Sequence, residues 1–349
     1  MTWSAANNWT RGSAADSAFT AEDNVIFAAG SSIQKIDLDA DQTVAAVTFA
    51  APYTLEHRKL RVISGNITVE SGVTATIASD VEADTEFRSL RKLGEGTLLI
   101  NGHAGQTAVK EGTVGGVGVF DYLTVKAGGT VRPGGATSTD RIGQISVEHS
   151  FTVESGGRLT MDIGGIDNSN YQHPEFDTLV VGGIARLEGI LAVSLVDLGQ
   201  GAFNPEEGDE FLLISADEIQ GSFESLRLPP LWTGLVWKPV VTESTFSLAV
   251  ELRIPGDYNG DGYVDSADYV AWRKRVGRTG AKLSADGSGP AGTPDGTVDA
   301  HDYDHWRANI GDPPAGQELT SAVPEPASIC LIAIVAAQLA IHRSRRESS

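Results

Sequence analysis

The feature that most constrains this chain is an acidic segment written twice near its C-terminal end. Residues 261–277 align with residues 295–311. The shared positions are Asp261/Asp295, Gly262/Gly296, Val264/Val298, Asp265/Asp299, Asp268/Asp302, Tyr269/Tyr303, Trp272/Trp306, Arg273/Arg307 and Gly277/Gly311. A 12-residue calcium loop needs oxygen donors at positions 1, 3, 5, 7, 9 and 12, and Gly at position 6 for the sharp turn. Counting from Asp257, those positions hold Asp257, Asn259, Asp261, the carbonyl of Tyr263, Asp265 and Asp268, with Gly262 sixth. Calcium is a hard cation, and four carboxylates offset its charge while the loop adapts around it. Position 12 is Asp rather than a bidentate Glu, so the loop must be tighter or that residue must supply fewer oxygens. The competing reading is an Asx-rich turn without metal.

The second copy is less regular. Asp295, the carbonyl of Thr297, Asp299 and Asp302 fill positions 5, 7, 9 and 12. By simple count, positions 1 and 3 would be Ala291 and Thr293, which are poor ligands. Asp286 and Ser288 supply those positions if residues 289–294 bulge out as an insertion. The loop then takes a second Ca2+. Otherwise it is a metal-free copy held by the first.

A short amphipathic helix is expected after each loop. Tyr269, Trp272 and Val276, like Tyr303, Trp306 and Ile310, recur at helical spacing. Gly277 and Gly311 stand where these helices should stop. Two loop–helix units carrying Asp-Tyr-x-x-Trp-Arg resemble a type I dockerin, a paired EF-hand module, over residues 254–312. The resemblance implies a cohesin-like partner or surface scaffold, read by loop positions 10 and 11. Here these are Ser266 and Ala267, then Ala300 and His301. The two pairs differ from each other and from the paired Ser/Thr of cellulosomal dockerins, which argues against symmetric dual binding.

Residues 1 to about 253 carry no long run with helical apolar spacing. Short alternating segments separated by Gly predict strands and tight turns, in keeping with 40 Gly in 349 residues. Ile67-Thr68-Val69, Leu123-Thr124-Val125 and Phe151-Thr152-Val153 each lead into a charged residue, a small residue and Gly. A strand-plus-Gly phrase repeated at varying intervals fits the coils of a solenoid, whose rungs bury their inner face only by stacking. A β-sandwich or barrel fits the periodicity as well. Lys92-Leu93-Gly94-Glu95-Gly96-Thr97-Leu98-Leu99-Ile100, followed by Thr107 to Thr113, resembles the autotransporter-associated β-strand repeat. That family implies a right-handed parallel β-helix over residues 86–253, preceded by an N-terminal β segment over 1–85.

β-Helices also host polysaccharide lyases and hydrolases, whose chemistry needs carboxylates, or a basic residue beside them, projected from adjacent rungs. Asp162, Asp167, His173, Glu175 and Asp177 are the candidates by composition. The stretch 164–174 reads as a solvated polar loop. Scattered His57, His103 and His149 show no ligand spacing, and no Gly-x-Ser-x-Gly or His-Glu-x-x-His occurs.

After a linker over residues 313–323, the chain ends in three parts. They are Pro324-Glu325-Pro326, an uncharged run of 15 residues over 327–341, and a cluster of Arg343, Arg345 and Arg346. The run is shorter than the roughly 17–25 residues of a spanning helix. The flanking arginines nevertheless favour a membrane over a buried helix, because basic residues stay cytoplasmic and can snorkel. Together the parts resemble the PEP-CTERM sorting signal over residues 324–349, with Pro324, Glu325 and Pro326 as the motif an exosortase reads. The resemblance implies export, with the C-terminal transmembrane helix in the inner membrane before processing. The N-terminus has no basic and apolar leader, so a late start or a fragment is expected.

A net charge of −20 argues against nucleic-acid binding. The single cysteine, Cys330, excludes a disulfide framework. The expectation is an exported, non-catalytic surface or extracellular protein. Its three parts are a β-helix body, a small α-helical calcium module and a sorting tail, a combination resembling proteins of planctomycetes. A carbohydrate-active enzyme docked through the module, and an adhesion or matrix module, are the alternatives.

Overall fold

The computed structural model describes residues 3, 10–11, 14–15, 20, 22–30, 34–84, 89–135, 141–170, 173–231, 235–252, 254–280, 283–289 and 294–311. The chain divides into two compact units, Met1–Arg253 and Ile254–Ser349.

The first unit is a coil of stacked parallel strands. Its nine-stranded sheet receives one strand per turn of the coil: Lys35–Leu38, Thr54–His57, Thr74–Ile77, Thr97–Ile100, Gly112–Gly116, Gly129–Pro133, Arg158–Ile163, Ile190–Leu195 and Ser225–Arg227. Between these, the chain feeds two further ladders. One contains Gln42–Val44, Leu60–Val62, Val81–Ala83 and His103–Ala104. The other contains Ala46–Phe49, Asn66–Val69, Leu90–Leu93 and Thr107–Val109. Val119–Val125 and Gln144–Val153 run straight across the corner and join both ladders. The ladders separate again at Thr178–Val181 and Ile184–Leu187.

Alternation explains the coil. Strand side chains point in and out by turns, and the inward ones stack from rung to rung. Val47, Ile67, Lys92, Val109, Val125, Val153 and Leu187 stand level in register. Each Val or Leu so buried contributes about 1.5–3 kcal/mol, none of which a lone rung could collect. The Phe151-Thr152-Val153 phrase lies in register on Leu123-Thr124-Val125. Ile67-Thr68-Val69 joins the same ladder two residues out of step, a shift that keeps every side chain on its side.

Lys92 is the exception in its column, a cation only 1% exposed. Its ammonium donates to the carbonyls of Leu93 (3.0 Å), Gly94 (2.6 Å) and Glu111 (3.1 Å), which uses its three donors. Burial pushes its pKa down to about 8, and the nearby Glu111 carboxylate opposes that shift. The Glu111 carboxylate also accepts from the Gly94 N–H at 2.8 Å. Gly94 (φ 73°) and Gly112 (φ 63°) turn one above the other, and a Cβ on Gly112 would lie 2.5 Å from the Gly94 carbonyl oxygen. The Lys and Gly of the repeat phrase therefore serve one stacked turn.

The structure departs from the sequence reading in two places. Val81–Ala83 pairs with strands on either side, Leu60–Val62 and His103–Ala104. The ladder thus continues past residue 85, and the expected segments 1–85 and 86–253 share one coil. At its C-terminal end the coil stops being parallel. Glu210–Ser215 pairs antiparallel with Thr245–Leu252, which pairs antiparallel with Leu235–Val241. This hairpin covers an edge that would otherwise invite another chain. At the opposite end Trp3, 2% exposed, packs edge-on to Phe27.

In the second unit, helix α1 is Ser266–Arg273 and helix α2 is Ala300–Asn309. Its core is Tyr258, Val264, Ala271, Trp272, Ala285, Val298 and Trp306. Val276 and Ile310, expected on the apolar faces, are exposed because each helix ends before reaching them. The linker over 313–323, the Pro324-Glu325-Pro326 motif and the transmembrane helix expected over 327–341 lie outside the described residues. Among the described residues, no helix is long and apolar enough to cross a membrane.

Candidate metal centre

Both acidic loops close on themselves through backbone hydrogen bonds to their own carboxylates. In the first, Asp257 accepts from the N–H groups of Gly260 (2.6 Å) and Gly262 (2.9 Å). Asn259 Oδ1 accepts from Asp261 N–H and Asp261 Oδ1 from Tyr263 N–H. Asp268 Oδ1 accepts from Tyr258 (2.8 Å) and Asn259 (3.0 Å), and its Oδ2 accepts from Asp265 (2.8 Å). Asp265 caps α1 by accepting from Ala267 N–H, so the last loop residues are also the first helix residues.

The second loop repeats this pattern with Asp286 in the place of Asp257. Asp286 accepts from Asp295 (3.1 Å) and Gly296 (2.7 Å). Asp302 Oδ1 accepts from Gly287 (2.8 Å) and Ser288 (3.0 Å), and its Oδ2 accepts from Asp299 (2.7 Å). Asp295 Oδ1 accepts from Thr297 N–H, and Asp299 caps α2 through His301 N–H. Asp286, Ser288, Asp295, Thr297, Asp299 and Asp302 are thus brought into one loop across the intervening residues. Ala291 and Thr293 lie outside the described residues.

An ionised carboxylate offers about four lone-pair sites. Asp268 and Asp302 have three occupied by N–H groups, which leaves one each for a cation. Asp257 and Asp286 keep two each. Asp257, Asp268, Asp286 and Asp302 are all buried. Burial, reinforced by neighbouring carboxylates, pushes the Asp257 and Asp302 carboxyls above their ordinary range, while backbone N–H groups pull the other way. These loops hold charge that they do not themselves neutralise. The donor set, mostly carboxylate oxygens with a backbone carbonyl, fits a hard divalent cation such as Ca2+.

The two loop–helix repeats interlock. Gly277 N–H donates to the Val298 carbonyl (2.8 Å), and Gly311 N–H donates to the Val264 carbonyl (3.0 Å). Sequence reasoning missed Tyr258, whose hydroxyl donates to the Asp302 carbonyl at 2.6 Å. Its counterpart is Gly287, where a Cβ would lie 2.7 Å from that hydroxyl. A large side chain between two loop ligands, facing Gly in the other copy, was the available signal. The partner-reading positions Ser266, Ala267, Ala300 and His301 are exposed in the first turns of the two helices. His301 Nδ1 lies 3.1 Å from Asp299 Oδ1.

In the body, the candidate catalytic carboxylates fall into two pairs, Asp162 with Asp177 and Asp167 with Glu175. Asp162 is clamped by Arg132 (2.8 Å) and Arg141 (2.8 Å), and its side chain is 2% exposed. Asp177 is also buried, accepting from Gly143 and Asp162 N–H groups. Burial pushes the Asp177 carboxyl well up, against the pull of those N–H groups. This cluster ties neighbouring turns of the coil together. Asp167 accepts from Ser169 N–H in a turn, and His173 is exposed. Glu175 alone reaches a groove of about 460 Å³, lined also by Glu206, Asp209 and Phe203.

No protein-family model matches the chain, and no curated protein is significantly similar to it. The resemblances to the three families rest on the residues quoted for them.

Proposed function

We propose that residues 254–312 are a dockerin-like, calcium-dependent docking module of an exported, non-catalytic surface or extracellular protein. The equivalence of the two loops supports this most. Asp257 and Asp286, and Asp268 and Asp302, accept from corresponding backbone N–H groups. Held in this way, they turn their remaining lone pairs toward a cation. The partner, a cohesin-like domain or cell-surface scaffold, reads Ser266, Ala267, Ala300 and His301. Pro324, Glu325 and Pro326 address the chain to an exosortase. The body is a passive, right-handed parallel β-helix, its hand following the crossover rule.

Calorimetric titration of the full chain with Ca2+ tests the module. Two equivalents and a raised melting temperature are expected, because a cation that binds only the folded state stabilises it. No heat and no shift would overturn the reading. Capture of a cohesin-like domain should need calcium and should fail in EDTA.

A second reading draws support from the groove that holds Glu175, Glu206 and Asp209. Carboxylates in a groove are what polysaccharide hydrolysis requires. Release of sugar ends from a polysaccharide panel, lost in Glu175→Gln, would favour it over a passive body.

A further inference from the structure

The geometry points to a metal site of a different kind on the coil wall, formed by His103, Asp121 and Glu148 and suited to Zn2+. The three residues come from successive rungs. His103 Nε2 lies 3.0 Å from Asp121 Oδ1 and 4.0 Å from Glu148 Oε1. One donor atom from each residue lies within 4.8 Å of the other two. Zinc at about 2.0–2.1 Å from nitrogen and oxygen needs donors about 3.3 Å apart. Small rotations of these part-exposed side chains reach that spacing.

The ladder explains why they meet. Val119–Val125 and Gln144–Val153 are the two strands that cross the corner, and their register slips there. Phe120 is level with Val147, but Tyr122 is level with Ser150. Glu148 and His149 therefore share the space opposite Asp121. Such a bulge re-aims side chains, and here it sets two carboxylates together on the outer surface. His149 is held aside by its ring contact with Tyr122, 4.8 Å between centroids. On the rungs above and below, the positions level with the carboxylates are Gly105 and Gly182, which add no side chain to the approach.

Two like charges on adjacent rungs repel unless a cation joins them. Among the described residues, His103 is the ion-pair partner of both Asp121 and Glu148, with no Lys or Arg paired to either. Imidazole is a poor ligand for calcium and a good one for zinc, copper or nickel. One imidazole and two carboxylates leave a fourth position for water, the pattern of an open zinc site. The paired acidic loops and this site therefore sort hard and borderline cations between the two units.

Zinc titration of the full chain, with calcium in excess, tests the site. Wild type should take up one equivalent of Zn2+ that His103→Gln and Glu148→Gln lose and His57→Gln retains. Each variant is checked for unchanged β-sheet circular dichroism. Should His103→Gln lose that signal, Glu148→Gln decides alone, since its side chain is about half exposed (52%). Absence of zinc uptake by the wild type would leave only a histidine–carboxylate ion pair and overturn the proposal. Undiminished uptake by Glu148→Gln, or by folded His103→Gln, would overturn it equally.

Discussion

Trp272 and Trp306 each donate a hydrogen bond into the other's loop. Trp272 Nε1 reaches the Asp299 carbonyl at 2.9 Å, and Trp306 Nε1 reaches the Asp265 carbonyl at 2.8 Å. Asp265 and Asp299 hold the ninth position of each loop and cap the two helices. Each acidic loop is therefore anchored by the helix that follows the other one. Tyr269 and Tyr303 pack between the indoles, with centroids 5.1–5.6 Å from them.

This reciprocity predicts that either Trp→Phe substitution harms both loops. Each loses one part-buried hydrogen bond to the other repeat's cap residue, at a cost of about 0.5–1.5 kcal/mol. Calcium titration of Trp306→Phe should show weakened binding in both loops. An effect confined to one would mean that the loops are independent.

Asp286→Ala separates the repaired second loop from a degenerate copy. Calcium uptake should fall from two equivalents to one, as it should in Asp257→Ala. Two equivalents remaining in Asp286→Ala would remove Asp286 from the ligand set.

Acidity should act in opposite senses on the metal-free and calcium-loaded chains. The folded pKa values of Asp257 and Asp302 are raised above the ordinary value of 3.8. Their contribution to metal-free stability is present in acid and is lost as pH rises through the raised values. Calcium needs the ionised carboxylates, so its affinity should climb over the same interval. Melting curves from about pH 4 to 7, with calcium or EDTA, check both signs. Metal-free stability that rises with pH in the second unit would contradict this account.

Lys92→Met keeps the apolar stem and deletes three hydrogen bonds to carbonyls. A loss of about 1–3 kcal/mol is expected at neutral pH. The ammonium titrates near 8 when folded and near 10.5 when free, so the unfolded chain binds more protons between these values. Wild-type stability should accordingly gain over that interval, and the Met variant should lack the gain. Denaturant melts at pH 7.5 and 10 compare them, and parallel behaviour would place the titration elsewhere.

Much of the second unit was legible in the chain alone. Loop positions, helix caps and turn glycines depend on residues within about a dozen positions of one another, and their chemistry is local. Asp257, Asp261, Asp265 and Asp268 could be placed by counting. The strand phrases and Gly turns of the body were also readable, because alternation is a property of neighbours.

What tertiary structure decided depends on residues brought together over variable distances. Successive strands of the nine-stranded sheet begin 15 residues apart at Thr97 and Gly112 but 35 apart at Ile190 and Ser225. No fixed period marks which rungs stack, so the count of turns, the join at the corner and the antiparallel end were hidden. Lys92 is turned inward by its ladder, where three carbonyls make the burial tolerable. His103 has no ligand spacing in sequence and meets Asp121 and Glu148 only through the register of three rungs. Asp286 joins the second loop through the N–H groups of Asp295 and Gly296, nine and ten residues further on. Local chemistry wrote the paired acidic loops, and stacking between distant rungs wrote the wall.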